Sequence, residues 1–260
     1  MVMKKNTAKK QSVLGFALML GTISLAHAGP PFMTDDPEPL ESGHSEAYIF
    51  SMVDKAPDAN AMVVPAFEYN NAPAPDLHLH IVVPFLATRP NDGSNTYGLG
   101  DIEVGVKYRF VHESDSRPQV GVFPMLELPT GDAEKELGNG RAWGMIPLWL
   151  QKSWGSWTTY GGGGVALNSA PGMKNYVFGG WLLQRAISDS LILGGELFYQ
   201  GAPSEDVGRS TFFNVGGFYS GIRACGGCSL LFRAGSTVAG EVHHEGYLGL
   251  YWTWGPAEGT

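Results

Sequence analysis

Four short clusters in this 260-residue chain hold side chains able to do chemistry. His78 and His80 stand two apart in "LHLHIVVPF". On a strand both imidazoles would project to one side, the beginning of a zinc or copper site. No third ligand is identifiable by spacing, so polar lining is the expectation and no metal is assigned. Cys225-Gly-Gly-Cys228 is a CxxC. A thioredoxin-type redox pair needs a helix N-terminus in a βαβ setting, which the surrounding residues do not supply. A local disulfide across a turn in an oxidising compartment is the expected state. His243-His244-Glu245 has a cation-binding composition but reads as an exposed loop. His44-Ser45-Glu46 is the one close histidine–serine pair. A hydrolase would need a third, orienting group within reach of it, and nothing completes the set. No catalytic residue and no cofactor is assigned.

The elements that carry these residues are strands. In "GLGDIEVGVKYRF" the odd positions from 101 to 109 are Asp101, Glu103, Gly105, Lys107 and Arg109, and the even ones from 102 to 110 are all apolar. Alternate side chains of a strand point to opposite faces, so one face is apolar and the other charged. "LHLHIVVPF", "QVGVFPMLEL", "ILGGELFYQ" and "YLGLYWTW" alternate in the same way. Twelve candidate strands follow between residues 46 and 255, most longer than the ~5–6 residues of a globular strand and close to the ~9–11 of a tilted membrane strand. Their links alternate: short ones such as "NAPAP", "ESDSR", "GSW", "SDS" and "CGGC", then longer ones such as "PTGDAEKELGNGRA", "APSEDVGRS" and "TVAGEVHHEG". That alternation predicts an all-β, antiparallel, up-and-down transmembrane barrel of about twelve strands, polar within and apolar without. A soluble barrel or sandwich with an apolar core has the same parity. Tyr97, Trp143, Trp154, Trp157, Tyr160, Tyr199, Tyr219 and Trp254 lie near strand ends, where interfacial aromatic girdles form.

Composition narrows the partners. Residues 1–28 join Lys4, Lys5, Lys9 and Lys10 to an apolar run and Ala26-His27-Ala28, the pattern of a secretory signal peptide. Without those four lysines the formal charge falls from −8 to −12, which argues against nucleic acid as a partner. Residues 29–45, "GPPFMTDDPEPLESGHS", are proline-rich and acidic. They read either as a mobile periplasmic terminus or as a plug for the barrel of residues 46–260. By parity the lumen collects Glu68, His78, His80, Asp101, Glu103, Lys107, Arg109, Glu127 and Glu196, with Phe123, Trp149, Phe198 and Tyr251 among them. Both signs occur and acid outnumbers base, so neutral, cationic or aromatic solutes suit this lumen better than acidic ones.

Several segments occur together and in order: "GPPFMTDDPEP", "GLGDIEVGVKYRF", "GVFPMLELPTGD", "IPLWLQKSWGSWTTYGGGG" and "GGELFYQ". In these the chain resembles the meta-pathway phenol-degradation family of bacterial outer-membrane barrels, often described as transporters. The resemblance implies an outer-membrane, porin-like protein in contact with lipid, passing or binding small organic and aromatic compounds. The alternatives are a closed structural barrel and a barrel-rim hydrolase. It brings no catalytic residues, and it leaves the oligomeric state open. In one respect the chain departs from outer-membrane barrels that end on an aromatic residue read by the barrel assembly machinery: Trp252 and Trp254 are followed by "GPAEGT".

Overall fold

The period-2 pattern becomes a closed wall. The computed structural model describes residues 30–56, 59–90 and 95–256; the expected leader, residues 1–28, lies outside them. Fourteen strand segments follow in order. They are β1 (Ser45–Lys55), β2 (Ala59–Ala74), β3 (Leu77–Pro90), β4 (Thr96–Leu99), β5 (Ile102–Val111), β6 (Gln119–Val122) and β7 (Met125–Leu128). The rest are β8 (Trp143–Trp154), β9 (Trp157–Leu167), β10 (Tyr176–Ser188), β11 (Leu191–Gln200), β12 (Ser210–Ile222), β13 (Cys228–Gly240) and β14 (His244–Trp254). β4 and β5 both pair with β3, and β6 and β7 both pair with β8, so each couple is one stave broken by a kink. Every pairing is antiparallel, and β1 pairs with β14 from Ser45↔Trp254 to Lys55↔His244. The result is a closed barrel of twelve antiparallel staves, with no unpaired edge along its seam.

Both kinks have local causes. Pro124 has no N–H to give the ladder, and it separates β6 from β7. At Gly100–Asp101 the Asp101 carboxylate turns to the long loop after β7, accepting from the Gly131 and Asn139 N–H groups at 2.9 and 2.7 Å. Elsewhere the pattern differs from the sequence reading in its links. "TVAGEVHHEG" is not a long loop: β13 runs to Gly240 and β14 starts at His244.

Parity alone leaves open which face meets water, and the barrel decides it. Val106, Tyr108 and Phe110 are 40–48% exposed on the outside, whereas Asp101 and Lys107 are almost wholly buried within. The same outward apolar set continues round the wall through Phe67, Leu79, Ile146, Leu148, Trp181, Leu197, Phe213 and Leu248. A continuous apolar belt of this kind far exceeds the patches that water-soluble proteins carry, and it is the distribution of a transmembrane β-barrel. Two members of the expected girdles do not belong to it. Tyr160 is fully buried on the inner face, and Trp143 packs against an inner aromatic cluster. Tyr97, Trp154, Tyr219 and Trp254 do stand outside, 47–62% exposed.

Candidate functional site

The inner face is built in rows that the strand register dictates. One row runs Thr253, Glu46, Asn70, His80, Gly105, Met125 through successive pairs of staves. The next runs Tyr251, Tyr48, Glu68, Val82, Glu103, Glu127. Between them three carboxylates gather around Asn70 and His80. The Asn70 amide donates to Glu46 and to Glu68, 2.8 Å each. His80 bonds through Nδ1 to the Asn70 carbonyl oxygen at 2.7 Å and through Nε2 to Glu103 at 3.0 Å. Gly105 is what admits the neighbouring ring. A Cβ there would come within 2.8 Å of Phe123, whose ring meets His80 edge-on at 5.2 Å.

Residues 30–44 enter this interior ahead of β1 and lie against one side of it. Phe32 packs with Tyr160 and Leu182, and Met33 packs against the cluster of Phe123, Trp149, Phe178 and Phe198. The Met33 and Thr34 N–H groups donate to the two oxygens of Glu196 at 3.0 and 2.8 Å. Thr34 passes Gly180 where a Cβ would overlap its hydroxyl, so only glycine leaves the path open. Lys107 Nζ lies 3.0 Å from Asp35 and 3.4 Å from Asp36. Gln119 and Gln151 both donate to Glu38, at 3.1 and 2.7 Å. The prolines that argue against helix or strand here also make burial cheap. Pro30, Pro31, Pro37 and Pro39 carry no N–H to satisfy in a dry interior. Burial pushes the Asp36 carboxyl well above the usual carboxylate range, against the pull of Lys107 and with added repulsion from Asp35. Burial works to raise Asp35 too, but the Lys107 charge and the hydrogen bonds from Asp36 and Lys107 together hold it below that range.

Opposite the segment the interior is not filled. A cavity of about 650 Å³ runs from Glu41, His44 and Thr253 at the end where β1 starts to Met52, Met145 and Tyr176 toward the other. Its size falls in the range of small-molecule sites.

Of the nine residues assigned to the lumen by parity, Glu68, His78, His80, Glu103 and Lys107 border this cavity. The other four lie elsewhere. Asp101 fastens the loop after β7, Glu127 pairs in register with Glu103 further along the wall, and Glu196 is covered by the N-terminal segment. Arg109 sits at the rim beside the two-residue turn between β2 and β3, bonded to Asp76 and Gln119. Cys225 and Cys228 are bonded to each other in the turn between β12 and β13. His243 bonds Asp54 while Glu245 pairs with Arg233, so the loop histidines and Glu245 do not converge. Ser45 Oγ is engaged by Tyr69 and Asn71, with no histidine among its hydrogen-bond partners. Among the described residues no group of three or more His, Cys, Asp or Glu is arranged to hold a metal ion.

The sequence reading missed Asn70, Gln119, Gln151, Asn214 and Arg233. Asn214 donates to Glu196 at 2.8 Å, and Arg233 lies between Glu196 and Glu245 at 3.7 and 3.1 Å. Parity on β13 holds the signal, since Leu231 and Arg233 share a face, but an inner face mixing leucine and arginine gives no clean contrast.

Fold and lumen together define a plain class: a transmembrane β-barrel whose interior is part filled by its own N-terminal segment. Its architecture matches that of an outer membrane channel from Pseudomonas putida F1, with a TM-score of 0.65 and 16% sequence identity over 87% of this chain and 99% of that one. Two other solved structures align with far looser superposition. OmpF of Salmonella typhi, solved with daunomycin, gives 0.33 at 8% identity over 81% of this chain and 96% of that one. The trimer form of OmpT from Vibrio cholerae gives 0.33 at 11% identity over 81% and 98%. No protein-family model matches the chain, and no curated protein matches it.

Proposed function

We propose that this chain is a passive channel of the bacterial outer membrane, exported behind residues 1–28, which lets small organic molecules through a lumen that residues 30–41 narrow as a plug. The observation that carries the reading is the cavity of about 650 Å³ left beside the plug along the lumen, bordered by carboxylates and aromatic rings together. A barrel whose interior served only as a core would be expected to close such a space, because protein interiors pack to crystal-like density. The P. putida structure, described as an outer membrane channel, supports the same reading through its fold. The resemblance to the phenol-degradation family and the rings of Tyr48, Phe50, Trp149 and Tyr251 favour solutes with an aromatic body. No step of this function needs a catalytic residue.

The closed structural barrel keeps one observation in its favour. Lys107, Arg109, Lys152 and Arg233 are all paired with carboxylates. Single-channel recording in planar bilayers separates the two. The refolded full chain is expected to give small steps, and the chain lacking residues 30–41 larger ones. Silence from both, with the fold verified by heat-modifiable gel mobility, would sink the channel and leave the closed barrel.

A further inference from the structure

We propose that the unplugged wall of the lumen is a binding site for an organic ammonium ion with an aromatic or apolar body, which makes that chemistry the preferred solute class of the channel reading on which this inference rests. Glu46, Glu68 and Glu103 border the cavity and share one amide, one imidazole and the Tyr251 hydroxyl, which bonds Glu46. With His80 protonated, the group carries a net charge between about −1 and −2, according to whether one of the crowded carboxyls keeps its proton. The strong cations nearby are already engaged: Lys107 by Asp35 and Asp36, Arg233 by Glu196 and Glu245. Carboxylates removed from water require a counter-charge, and no side chain of the wall supplies it in full.

Two further observations point to a ligand. Tyr247 borders the same cavity at 6% exposure, and its hydroxyl has no hydrogen-bond partner. Buried donors without partners are uncommon in finished interiors. The surrounding surface is aromatic. Tyr48 and Tyr251 lie 4.7 Å apart, and Tyr247 stacks on Phe50 at 5.2 Å. Ring faces attract organic cations, and a site of rings plus carboxylates fits an ammonium better than a bare metal ion, which would want several close oxygen or nitrogen ligands. An anionic solute would meet the carboxylates with no free cation to hold it.

Three probes of similar size test this on the refolded full chain in detergent, with protein-free micelles as the blank: phenethylammonium, 2-phenylethanol and phenylacetate, titrated by calorimetry. Phenethylammonium is expected to bind at least about tenfold more tightly than 2-phenylethanol, and phenylacetate more weakly than either. Glu68→Gln should erase most of that preference, read as the ratio of the phenethylammonium and 2-phenylethanol affinities within the variant. Equal affinities for the three probes would overturn the proposal without any variant, and so would a preference that survives Glu68→Gln in folded protein. The channel reading fails separately. A protein that prefers phenethylammonium in detergent but stays silent in bilayers keeps the site and loses the channel; steps without the preference do the reverse.

Discussion

The two sides of the lumen solve the problem of buried charge in opposite ways. Against β5, β6 and β8–β11 the N-terminal segment brings a partner for each main polar group: main-chain N–H groups for Glu196, two carboxylates for Lys107, and a glutamate for Gln119 and Gln151. Against β1–β3, β14 and the first residues of β5 three carboxylates share one histidine, one amide and the Tyr251 hydroxyl, and the buried Tyr247 hydroxyl beside the cavity is unpaired. On one side the chain itself supplies the partners of the charged groups, although the Thr34 and Tyr160 hydroxyls and the Trp149 N–H stay unpaired. The other lacks a partner of the complementary sign. The segment is thus as informative for what it leaves bare as for what it covers.

The comparison breaks most visibly at Lys107. Its ammonium is almost wholly buried, holds Asp35 and Asp36, and lies over the Phe123 ring at 5.0 Å from the centroid. Lys107→Met leaves two buried carboxylates without their cation, a loss of about 3–5 kcal/mol. The barrel need not bear it, because the segment can withdraw and return both carboxylates to water. The expected outcome is a folded barrel whose residues 30–41 become open to protease and whose conductance approaches that of the deletion. A protected segment in the variant would show that Glu196 and the apolar contacts of Phe32 and Met33 hold it without the ion pair.

How far this arrangement was legible in the sequence follows from the same contrast. The staves and their inner charges were readable because period 2 is strict in segments such as β5, where Ile102, Val104, Val106 and Tyr108 alternate with Glu103, Gly105 and Lys107. Which of those charges meet was not. Glu46, Asn70, His80 and Glu103 come together only through the register of β1 with β2, β2 with β3 and β3 with β5, and a slip of one residue would turn each outward. Tyr160 escaped for the opposite reason. An aromatic near a strand end suits a girdle, and only the passage of Phe32 beside it makes it core. The acidic, proline-rich segment has no period at all. Its docking is legible only once its partners Glu196, Lys107 and Gln151 are seen on one side of a closed wall.

A smaller and graded effect belongs to Asp36. Its carboxyl is raised when docked, so it favours docking below the ordinary aspartate value of about 3.9 and loses that contribution as pH rises from there through the raised value. Asp35, lowered when docked, acts in the other sense: its contribution is present above the ordinary value and fades as pH falls through the lowered one. Docking is therefore strongest near the ordinary aspartate range and weakens on the alkaline side. The open fraction of single channels should rise with pH from about 4 upward. Asp36→Asn, which cannot ionise, should flatten that rise, whereas an unchanged pH profile in the variant would remove Asp36 from the gate.

The least effect is expected on the bare side, and it tests the contrast from there. Tyr247→Phe removes a buried hydroxyl that has no partner and keeps the ring that stacks on Phe50. Removing one member of a made hydrogen bond would strand the other, at about 1–3 kcal/mol. With no bond to break, the change in stability should stay within about 0.5 kcal/mol, read as an unshifted midpoint of heat-modifiable mobility. The substitution should tell only when the cavity is occupied, as a weaker hold on phenethylammonium. A clear loss of stability in the empty protein would mean that the hydroxyl already serves the fold, and the bare wall would then be as complete as the plugged one.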